Sequence, residues 1–407
     1  MLGNEYFYNY NSYIKPYYAK PPSTKIRTNK VAIIGGGLAG CATAFELSKF
    51  GFDIVLFDQC SRIANGASGN HTGMLKPYLT IDTNLSDLFH TRGYYETLSI
   101  LNSFKYNSSV FSKPGLIQYI SDDYEMHRFI KLFEQRRIDL SLAHLIRDKK
   151  YIFYPNACVV SPKNFCTQLL NSITTKLTKK MNHKITHIIQ NSSGFWIINN
   201  DYLNEYDNVI ICASIEGFNC FKQMNNIPIY SSEGQISYLK NVIPGFNKIV
   251  TKKGYLLPEF GGITAIGATY RKNDDISGDI RDEDHRYNIN GLGDLISNMT
   301  YNLSGGRVST RAVTSDHLPI VGGVPDYRKF MNVYAPLFKK GLISSKMPSC
   351  SYHEGLYVCS GFGSKGLASS ILSAKIISSL VTASSIPISS RVYEALHPAR
   401  FWVKTLK

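Results

Sequence analysis

The apolar and polar positions of this chain predict two kinds of segment, which follow each other in blocks. From Val31 the run VAIIGGG reads as a short buried strand that enters glycines. LAGCATAFELSKFG then has the pattern of a helix ending at Gly51, and FDIVLFD is a second buried strand. Near the other end, GLYVCSGFGSKGLASSILSAKIISSLV again predicts a strand, a glycine turn and a helix. The first block is typical of a β-α-β unit, whose strands pair in parallel.

The middle of the chain has a different pattern. From Asn107 to about Leu303, short apolar runs such as IQYIS, GFWIIN, GQISYL and GITAIGATY alternate with turn signals, which predicts antiparallel strands. SPKNFCTQLLNSITTKL predicts a helix, and YDNVIICAS predicts a return to a buried parallel strand. We therefore expect an α/β fold with a Rossmann-like domain assembled from residues 30–105, 155–220 and 304–407. A mostly antiparallel-sheet domain, residues 106–154 and 221–303, is inserted between these pieces.

The first 29 residues have no strand or helix period. They are rich in Tyr, Asn and Pro, and Pro16 with the Pro21-Pro22 pair predicts an extended, linker-like leader. No secretory signal pattern opens the chain, and no apolar run approaches the roughly 20 residues of a membrane helix. We therefore expect no membrane association. The eight cysteines show no metal-like spacing, so we also expect reduced thiols, no metal site and a cytoplasmic protein.

The net charge of the 407 residues is +15, from 45 Lys and Arg against 30 Asp and Glu. An excess of this size favours a polyanionic partner such as a nucleic acid or an anionic membrane surface. The chain is also rich in Asn, Ile, Lys, Ser and Tyr, and a general compositional bias of this kind raises the lysine count without any partner.

The glycine turn Gly35-x-Gly37-x-x-Gly40 follows a predicted strand and opens a predicted helix. Its glycines permit a tight turn and a close approach of backbone N–H groups to a pyrophosphate. Asp58, at the end of the next strand, is placed to accept hydrogen bonds from the adenosine ribose. The alternative is a glycine-rich turn that binds nothing. The turn predicts a dinucleotide but does not separate NAD from FAD.

Three further features favour FAD. A second loop of small residues, Gly66–Leu75, follows the acidic strand, and a parallel strand ending at Ala213 returns to the same sheet. The turn Gly361–Leu367 then opens a late helix, whose N-terminus can stabilise negative charge on a reduced flavin ring. A purely structural helix cap is the alternative for this last turn.

In this order, the motifs resemble those of the FAD-dependent amino-acid-oxidase (DAO) superfamily, which includes glycine and sarcosine oxidases. Within it, the chain is most similar to the oxidoreductase half of bifunctional tRNA-modifying enzymes. The motifs are IIGGGLAG, GASGNHTGMLKPYL, EGQISYL, GYLLP with GATY, TRAVTSDHLPIVGGVPDY, GFGSKGL and ALHPARFWVKTLK. They extend over about Lys30 to Lys407, and the DHLPIVGGVPDY and HPARFWVKTLK blocks are specific to this branch.

The resemblance implies FAD as cofactor, a glycine/sarcosine oxidase-like fold, and a set of cofactor-binding residues. These are Gly35, Gly36, Gly37, Leu38, Ala39, Gly40, Asp58, Gln59, Ala67, Ser68, Gly69, Thr72, Gly73, Met74, Ile185, Ala213, Gly361, Gly363, Ser364, Lys365, Gly366 and Leu367. Two positions depart from the family pattern, because arginine is common in place of Lys365 and of Ser315. In the bifunctional family a methyltransferase domain precedes this half. Here only the leader does, so a separate methyltransferase would supply that step.

The resemblance also implies a reaction. The carboxymethyl group of 5-carboxymethylaminomethyl-(2-thio)uridine, at the tRNA wobble position, leaves as glyoxylate after hydride transfer to flavin and imine hydrolysis, giving aminomethyl-uridine. Arg311 would bind the substrate carboxylate, Tyr255 would lie near it, and His317 would lie near flavin or substrate. Each has a structural alternative: an ion pair, a core tyrosine and a packing histidine. Cys359 invites comparison with covalently flavinylated oxidases, but its strand position favours the core.

Two other functions remain open at this point. One is a flavin oxidase or dehydrogenase of a free N-substituted glycine or other small amino acid, and the other is a mainly tRNA-binding flavoprotein. A tRNA substrate requires phosphate contacts, which basic side chains supply. The candidates, each also explained as a solvated surface pair, are Arg136-Arg137, Lys149-Lys150, Lys179-Lys180 and Lys339-Lys340.

Overall fold

The computed structural model describes residues 13–24, 27–104, 107–136, 138–148, 150–272 and 277–407. The helices are α1 (Leu38–Ser48), α2 (Leu85–Ser103), α3 (Asp123–Arg136), α4 (Pro162–Asn171), α5 (Ile215–Phe218), α6 (Asp282–Asn290), α7 (Tyr327–Lys339), α8 (Gly366–Val381), α9 (Ser390–Leu396) and α10 (Arg400–Leu406). The strands are β1 (Lys30–Ile34), β2 (Asp53–Phe57), β3 (Gly73–Leu75), β4 (Phe111–Ser112), β5 (Leu116–Tyr119), β6 (His144–Ile146), β7 (Tyr151–Tyr154), β8 (Cys158–Val160), β9 (Leu177–Lys180), β10 (Ile188–Gln190), β11 (Trp196–Ile198), β12 (Glu205–Tyr206), β13 (Asn208–Ile211), β14 (Tyr230–Ile243), β15 (Ile249–Thr251), β16 (Tyr255–Leu256), β17 (Thr264–Gly267), β18 (Arg271–Lys272), β19 (Thr300–Val313), β20 (Ile320–Pro325) and β21 (Tyr352–Ser360).

The chain divides into two compact units, each named here by its largest sheet. The six-stranded unit comprises the described residues up to Asn65, with Cys166–Tyr230 and Ala312–Lys407. The nine-stranded unit comprises Gly66–Phe165 and Ser231–Arg311. The functional domain ranges expected from the sequence, 30–105, 155–220 and 304–407 against 106–154 and 221–303, stay a prediction.

The six-stranded sheet has the order β20-β21-β13-β1-β2-β9. β1 lies between β2 and β13 and pairs in parallel with both, so the predicted return of a buried parallel strand at YDNVIICAS is confirmed. β13 and β21 are also parallel, whereas β20 is an antiparallel edge strand. β1 and β13 are buried almost throughout, as expected for strands covered on both faces.

The leader is not a free linker where it is described. Pro16–Tyr18 forms a turn of 3-10 helix, and Tyr17 is only 2% exposed. Its ring lies 6.0 Å from that of Tyr334, in the core of the six-stranded unit, and Lys15 forms an ion pair with Glu394. The expectation of an extended linker is therefore wrong for this stretch, because its tyrosines bury apolar surface. Residues 1–12 and 25–26 lie outside the described part.

The nine-stranded sheet has the order β18-β14-β17-β16-β15-β5-β7-β6, and β19 pairs with β14. Its neighbours are antiparallel except for the parallel pair β15–β5. The predicted α/β class is confirmed, with a Rossmann-like parallel sheet in one unit and a mostly antiparallel sheet in the other. Among the described residues, no helix combines the length and apolar character needed to cross a membrane.

The expectation of strands throughout residues 107–303 misses the four-residue helix α5 and two longer helices. α3 and α6 both lie in this region, in addition to the predicted helix that the structure places at α4. Both longer helices are polar: Leu132 is the buried residue of α3, and α6 carries three acidic residues in its first turn. α6 has few apolar residues, so its 3.6-residue period is weak in the sequence. α3 does have an apolar stripe, and Met126, Phe129 and Phe133 pack against the core of the nine-stranded unit, but the expectation of strands overlooked it.

Candidate active site

The first glycine turn joins β1 to α1 in the six-stranded unit. Gly35 has a φ of +109° and donates its backbone N–H to the carbonyl oxygen of Phe57 at 2.8 Å. A Cβ on Gly40 would collide with the carbonyl oxygen of Gly35, so the helix packs directly on the turn. Gly37 precedes α1 and has no side chain to cap it. The N-terminus of α1 is therefore suited to a pyrophosphate, which needs backbone donors at close approach.

Asp58 fixes the shape of this turn. One carboxylate oxygen accepts a hydrogen bond from the backbone N–H of Gly36 at 2.6 Å, and the other accepts from Cys60 N–H at 2.8 Å. A Cβ on Gly36 would lie 3.0 Å from the first of these oxygens, so a larger residue would force the carboxylate away. A carboxylate has about four acceptor sites, so Asp58 retains the capacity to bind a ribose hydroxyl. That role stays a prediction.

The second glycine turn follows β21 and opens α8 in the same unit. Gly361 and Gly363 have φ of +75° and +53°, and Gly363 donates its N–H to the carbonyl of Ala312 at 2.9 Å. A Cβ on Gly366 would lie 3.1 Å from Leu38, so the N-termini of α8 and α1 lie side by side. Two helix N-termini thus meet at one place, which fits a ligand that carries negative charge.

Lys365 immediately precedes α8. Burial lowers the pKa of its ammonium group from the usual 10.5 to about 8. At neutral pH the side chain is therefore still largely protonated, and it adds a positive charge to this pair of helix N-termini. It can meet an anion there, although without the planar two-point geometry of an arginine.

The other predicted cofactor residues are distributed over both units. In the six-stranded unit, Ser360 donates from its hydroxyl to the carbonyl of Ala213 at 2.8 Å, and Ile185 is buried in the core. In the nine-stranded unit, Ala67–Gly69 form a 3-10 turn shortly before β3. Thr72 is buried, and its hydroxyl has no hydrogen-bond partner among the described residues. Such a buried donor fits a bound group that completes its hydrogen bonds.

Arg311 lies near the end of β19 in the nine-stranded unit, with only 7% of its surface exposed. Its guanidinium fills the space that a Cβ on Gly234 would occupy, and its central carbon lies 5.1 Å from the ring centre of Tyr270. Its Nη1 has no hydrogen-bond partner among the residues that the structure describes. A buried, incompletely bonded cation is costly in free energy, so this position is suited to an anionic ligand.

Tyr255 interacts electrostatically with Arg311. Its hydroxyl would lie 2.8 Å from a Cβ on Gly267, so the glycine lets the phenol lie flat against β17. Burial raises the pKa of Tyr255 well above its usual value, and the positive charge of Arg311 lowers it only in part. The phenol is therefore neutral at physiological pH and can donate a hydrogen bond to a carboxylate held by Arg311.

His317 belongs to the six-stranded unit and is exposed in the loop that follows β19. It has a φ of +58°, and its backbone N–H donates to the carbonyl of Thr314 at 3.2 Å. Its catalytic role stays a prediction.

The neighbouring residue, Asp316, is held by Arg400. The guanidinium of Arg400 donates from Nε and Nη2 to the two oxygens of Asp316 at 2.8 and 2.9 Å. It also donates to the carbonyl of Leu318 at 2.8 Å. Although burial alone would raise it, the pKa of Asp316 lies below its usual value because of Arg400. The DHLP and HPAR blocks therefore bind each other.

His397 completes this cluster. Its Nδ1 accepts from Ala399 N–H at 3.1 Å, so Nε2 is the donor to the hydroxyl of Tyr352 at 2.9 Å. Tyr352 donates in turn to the carbonyl of Ala19. Burial, with a smaller contribution from Arg400, lowers the pKa of His397 to about 3. Asp316, Tyr352, His397 and Arg400 are called the C-terminal clasp below.

The basic pairs expected to meet RNA differ from one another. Arg136 is not at the surface: it is buried in an ion pair with Asp87, so it is wrong as a phosphate contact. Lys150 is exposed beside Asp123, while Lys180 lies 5.4 Å from the ring centre of Phe57. Lys179, Lys339 and Lys340 are exposed, and Arg137 and Lys149 lie outside the described residues.

Sequence reasoning missed one prominent feature of the nine-stranded unit, a cavity of about 850 Å³. Its walls come from six segments far apart in the chain, and this explains why no local motif indicates it. The lining residues are Gly69, Asn70, His71, Ser108, Ser109, Ser112, Ser161, Lys163, Asn164, Tyr238, Glu259, Phe260, Gly261, Gly306 and Arg307. Ser309 and Tyr270 were missed too. The two-residue period of the VSTRAV strand alone would have placed Ser309 beside Arg311.

Residues 30–380 match the DAO family, described as FAD dependent oxidoreductase. The match extends over most of the chain, and the chain belongs to this family. It is an FAD-dependent oxidoreductase, and the cofactor predicted from the glycine turns is confirmed. The two adjacent helix N-termini of the six-stranded unit fit that cofactor.

Within this family, the chain is similar to a bifunctional tRNA-modifying protein. The "tRNA 5-methylaminomethyl-2-thiouridine biosynthesis bifunctional protein MnmC" of Campylobacter concisus (strain 13826) is 30% identical over 394 residues. These residues are 95% of this chain and 61% of that protein, so the chain spans about three fifths of the relative's length. The resemblance to the oxidoreductase half of such enzymes is thus confirmed as a similarity over nearly the whole chain.

Two solved structures share the fold. Glycine oxidase from Geobacillus kaustophilus is 17% identical, with a TM-score of 0.69 over 88% of this chain and 96% of that one. L-proline dehydrogenase from P. horikoshii is 15% identical, with a TM-score of 0.70 over 94% of this chain and 99% of that one. At these identities, the likeness bears on the fold alone.

Proposed function

We propose that this protein oxidatively removes the carboxymethyl group from 5-carboxymethylaminomethyl-uridine, or its 2-thio form, at the wobble position of tRNA. The products are aminomethyl-uridine and glyoxylate. The printed name of the bifunctional relative supports a tRNA uridine as substrate. The family supports an FAD-dependent oxidation.

The observation that carries the proposal is the incompletely bonded guanidinium of Arg311. The substrate unit N–CH2–COO⁻ ends in a carboxylate, and a guanidinium can bind a carboxylate through two parallel hydrogen bonds. Arg311 is buried and lacks a partner at Nη1 among the described residues, so it has the capacity that this contact needs. Tyr255, neutral because burial raises its pKa, would add a donor to the same carboxylate.

The chemistry asks little more of the side chains. Bound FAD would supply the acceptor for the hydride that leaves the CH2 group, while the amine nitrogen loses its proton to solvent. The C–N single bond becomes an imine, and water then cleaves it to the free amine and glyoxylate. The protein must hold the carboxylate and keep the amine neutral, so the fixed position of Arg311 is its main contribution. No dedicated catalytic base is required.

A tRNA partner accords with the net charge of +15 and would place the enzyme in the cytoplasm. The relative's name refers to a methylaminomethyl product. That product requires a methyl transfer, which the proposal assigns to a separate methyltransferase centre.

The decisive experiment incubates the purified protein, loaded with FAD, with tRNA from cells that lack the modifying activity. Nucleosides are then analysed by mass spectrometry. We expect carboxymethylaminomethyl-uridine to disappear while aminomethyl-uridine and glyoxylate form in equal amounts. Persistence of the starting nucleoside would contradict the proposal. Faster turnover of free sarcosine or glycine than of tRNA would favour the alternative, an oxidase of a small N-substituted glycine.

A further inference from the structure

We propose that the cavity of the nine-stranded unit binds the ribose and phosphate of the RNA nucleotide whose base substituent reaches Arg311. This inference rests on the proposed function and adds a place for the polynucleotide part of the substrate. The cavity, Ser309 and Arg311 all belong to the nine-stranded unit.

The first step is the geometry of β19. Arg307, Ser309 and Arg311 alternate along this strand, so their side chains lie on one face. Arg307 lines the cavity, and Arg311 lies four residues further on, about 13 Å away at 3.3 Å per residue. In the substrate, about seven bonds of roughly 1.5 Å separate the carboxylate carbon from the ribose, which is on the order of 10 Å. About five further bonds separate the ribose C1′ from its 5′-phosphorus, so a nucleotide with its carboxylate on Arg311 is long enough to place its ribose and phosphate in the cavity.

The second step is the row of unsatisfied groups that joins the two places. Ser309 and Arg311 are each more than nine-tenths buried. The hydroxyl of Ser309 and Nη1 of Arg311 have no hydrogen-bond partner among the described residues. Buried polar groups are almost always hydrogen-bonded, so two on one strand face indicate an extended polar ligand.

The third step is the chemistry of the cavity walls. Lys163 and Arg307 contribute two positive charges against the single carboxylate of Glu259. Nη2 of Arg307 donates to the carbonyl of Gly66 at 2.9 Å, which holds its charge at the wall. Four serines and two asparagines supply neutral donors and acceptors, as sugar hydroxyls require. The combination favours a sugar-phosphate over an apolar ligand.

The size of the cavity favours a nucleotide over a free amino acid as its ligand. A volume of about 850 Å³ is in the range of roughly 300–1,000 Å³ that holds drug-sized ligands. His71 adds an aromatic edge: its ring centre lies 6.2 Å from those of both Tyr238 and Phe260. Unstacked RNA bases bind against such rings, whereas a small N-substituted glycine would leave most of this volume to water.

The test measures RNA binding without turnover. An unmodified, fluorescently labelled anticodon stem-loop is titrated with the FAD-loaded protein, and anisotropy is followed at several salt concentrations. Lys163→Gln should weaken binding about fivefold and reduce the slope of log affinity against log salt by about 0.7, the value of one single-stranded phosphate contact. Lys163→Arg should keep most of the affinity. The matched control is Lys131→Gln, which removes an exposed charge from α3, outside the cavity, and should have no effect.

Three results would overturn the inference: equal binding by wild type and Lys163→Gln, an equal loss in Lys131→Gln, or no RNA binding by wild type. A loss of bound FAD in Lys163→Gln, visible in the flavin absorbance, would instead assign the cavity to the cofactor and also overturn it. The proposed function is tested separately by nucleoside analysis. Lys163-dependent binding without glyoxylate release would contradict that function and leave the cavity as an RNA site.

Discussion

Arg311 and Arg400 are buried to almost the same extent, at 7% and 8% exposure, but their surroundings differ completely. Arg400 makes two hydrogen bonds to Asp316 and others to backbone carbonyls, so its charge is neutralised within the fold. Arg311 rests against Gly234 and Tyr270 and has an Nη1 without a partner in the described part of the chain. The first arrangement stabilises structure, and the second has the capacity to bind a ligand.

The contacts of Arg400 also show that two of the sequence motifs have a structural role. The resemblance drawn from the sequence rests in part on the DHLPIVGGVPDY and HPARFWVKTLK blocks, and this invites a functional interpretation of them. The contacts show that Asp316 of the first block is paired with Arg400 of the second, and that His397 is bonded to Tyr352. Sequence blocks that invite a functional interpretation can therefore specify the packing of two segments against each other.

The largest expected effect is that of Arg311→Met on catalysis. Loss of a buried guanidinium-carboxylate contact costs about 4 kcal/mol, which is roughly a thousandfold in kcat/KM. Stability should be unchanged or slightly higher, because the substitution removes a buried charge that lacks a full set of partners. The rate of flavin reduction by substrate and the urea midpoint of the same preparation test both parts.

Arg311→Lys is the matched control for charge without bidentate geometry, and it should recover only part of the lost activity. Normal conversion of tRNA by Arg311→Met would show that the substrate carboxylate is held elsewhere. A large fall in its urea midpoint would mean that Arg311 is a structural residue like Arg400.

The next effect is that of Arg400→Met on stability. Removing one partner of a buried ion pair leaves the other uncompensated, at a cost of about 3 to 5 kcal/mol. Asp316 is 38% exposed, so we expect the lower part of this range, about 3 kcal/mol, in urea unfolding. The folded fraction should keep its flavin spectrum and its substrate reduction rate. A variant as stable as wild type would remove the contrast between the two arginines.

Much of the fold could be predicted from the sequence because its signals are local. The runs at β1, β2, β13 and β21 are short and apolar. The turns that follow β1 and β21 require a positive φ, and glycine occupies those positions, Gly35 and Gly361. Of the two longer helices that were missed, α6 has few apolar residues and therefore a weak period. The apolar stripe of α3, at Met126, Phe129 and Phe133, was overlooked among the surrounding strand-like runs. The leader was misjudged because proline-rich sequence favours extension, whereas burial of Tyr17 and Tyr18 outweighs that preference.

The site was harder to predict, because it depends on missing hydrogen-bond partners and on contacts between residues far apart in the chain. A sequence can indicate that Arg311 is a candidate, but only coordinates reveal that Nη1 has no partner among the described residues. Arg136 is a second example. The Arg136-Arg137 pair in the sequence indicates a surface site, but the side chain of Arg136 is buried in an ion pair with Asp87. The cavity needs six separate segments, and no periodicity connects them.

The smallest of the three effects concerns His397 and acid. Its pKa in the folded protein, about 3, lies below the usual 6.5, so below pH 6.5 the unfolded chain binds a proton that the folded one does not. Protonation of the unfolded chain does not reduce the free energy of unfolding above pH 6.5, and it reduces this free energy progressively as the pH falls from 6.5 towards 3. At pH 5 the loss is about 2 kcal/mol.

His397→Gln cannot take up this proton. The difference in unfolding free energy between pH 7 and pH 5 should therefore be about 2 kcal/mol smaller in the variant than in wild type, even if the variant is less stable at pH 7. Urea unfolding at the two pH values measures it, with His127→Gln as the control because that ring is exposed on α3. An unchanged pH dependence in His397→Gln would mean that acid unfolding begins outside the C-terminal clasp. The clasp would then be secured by Arg400 and Asp316 alone, with the histidine serving only to position Tyr352.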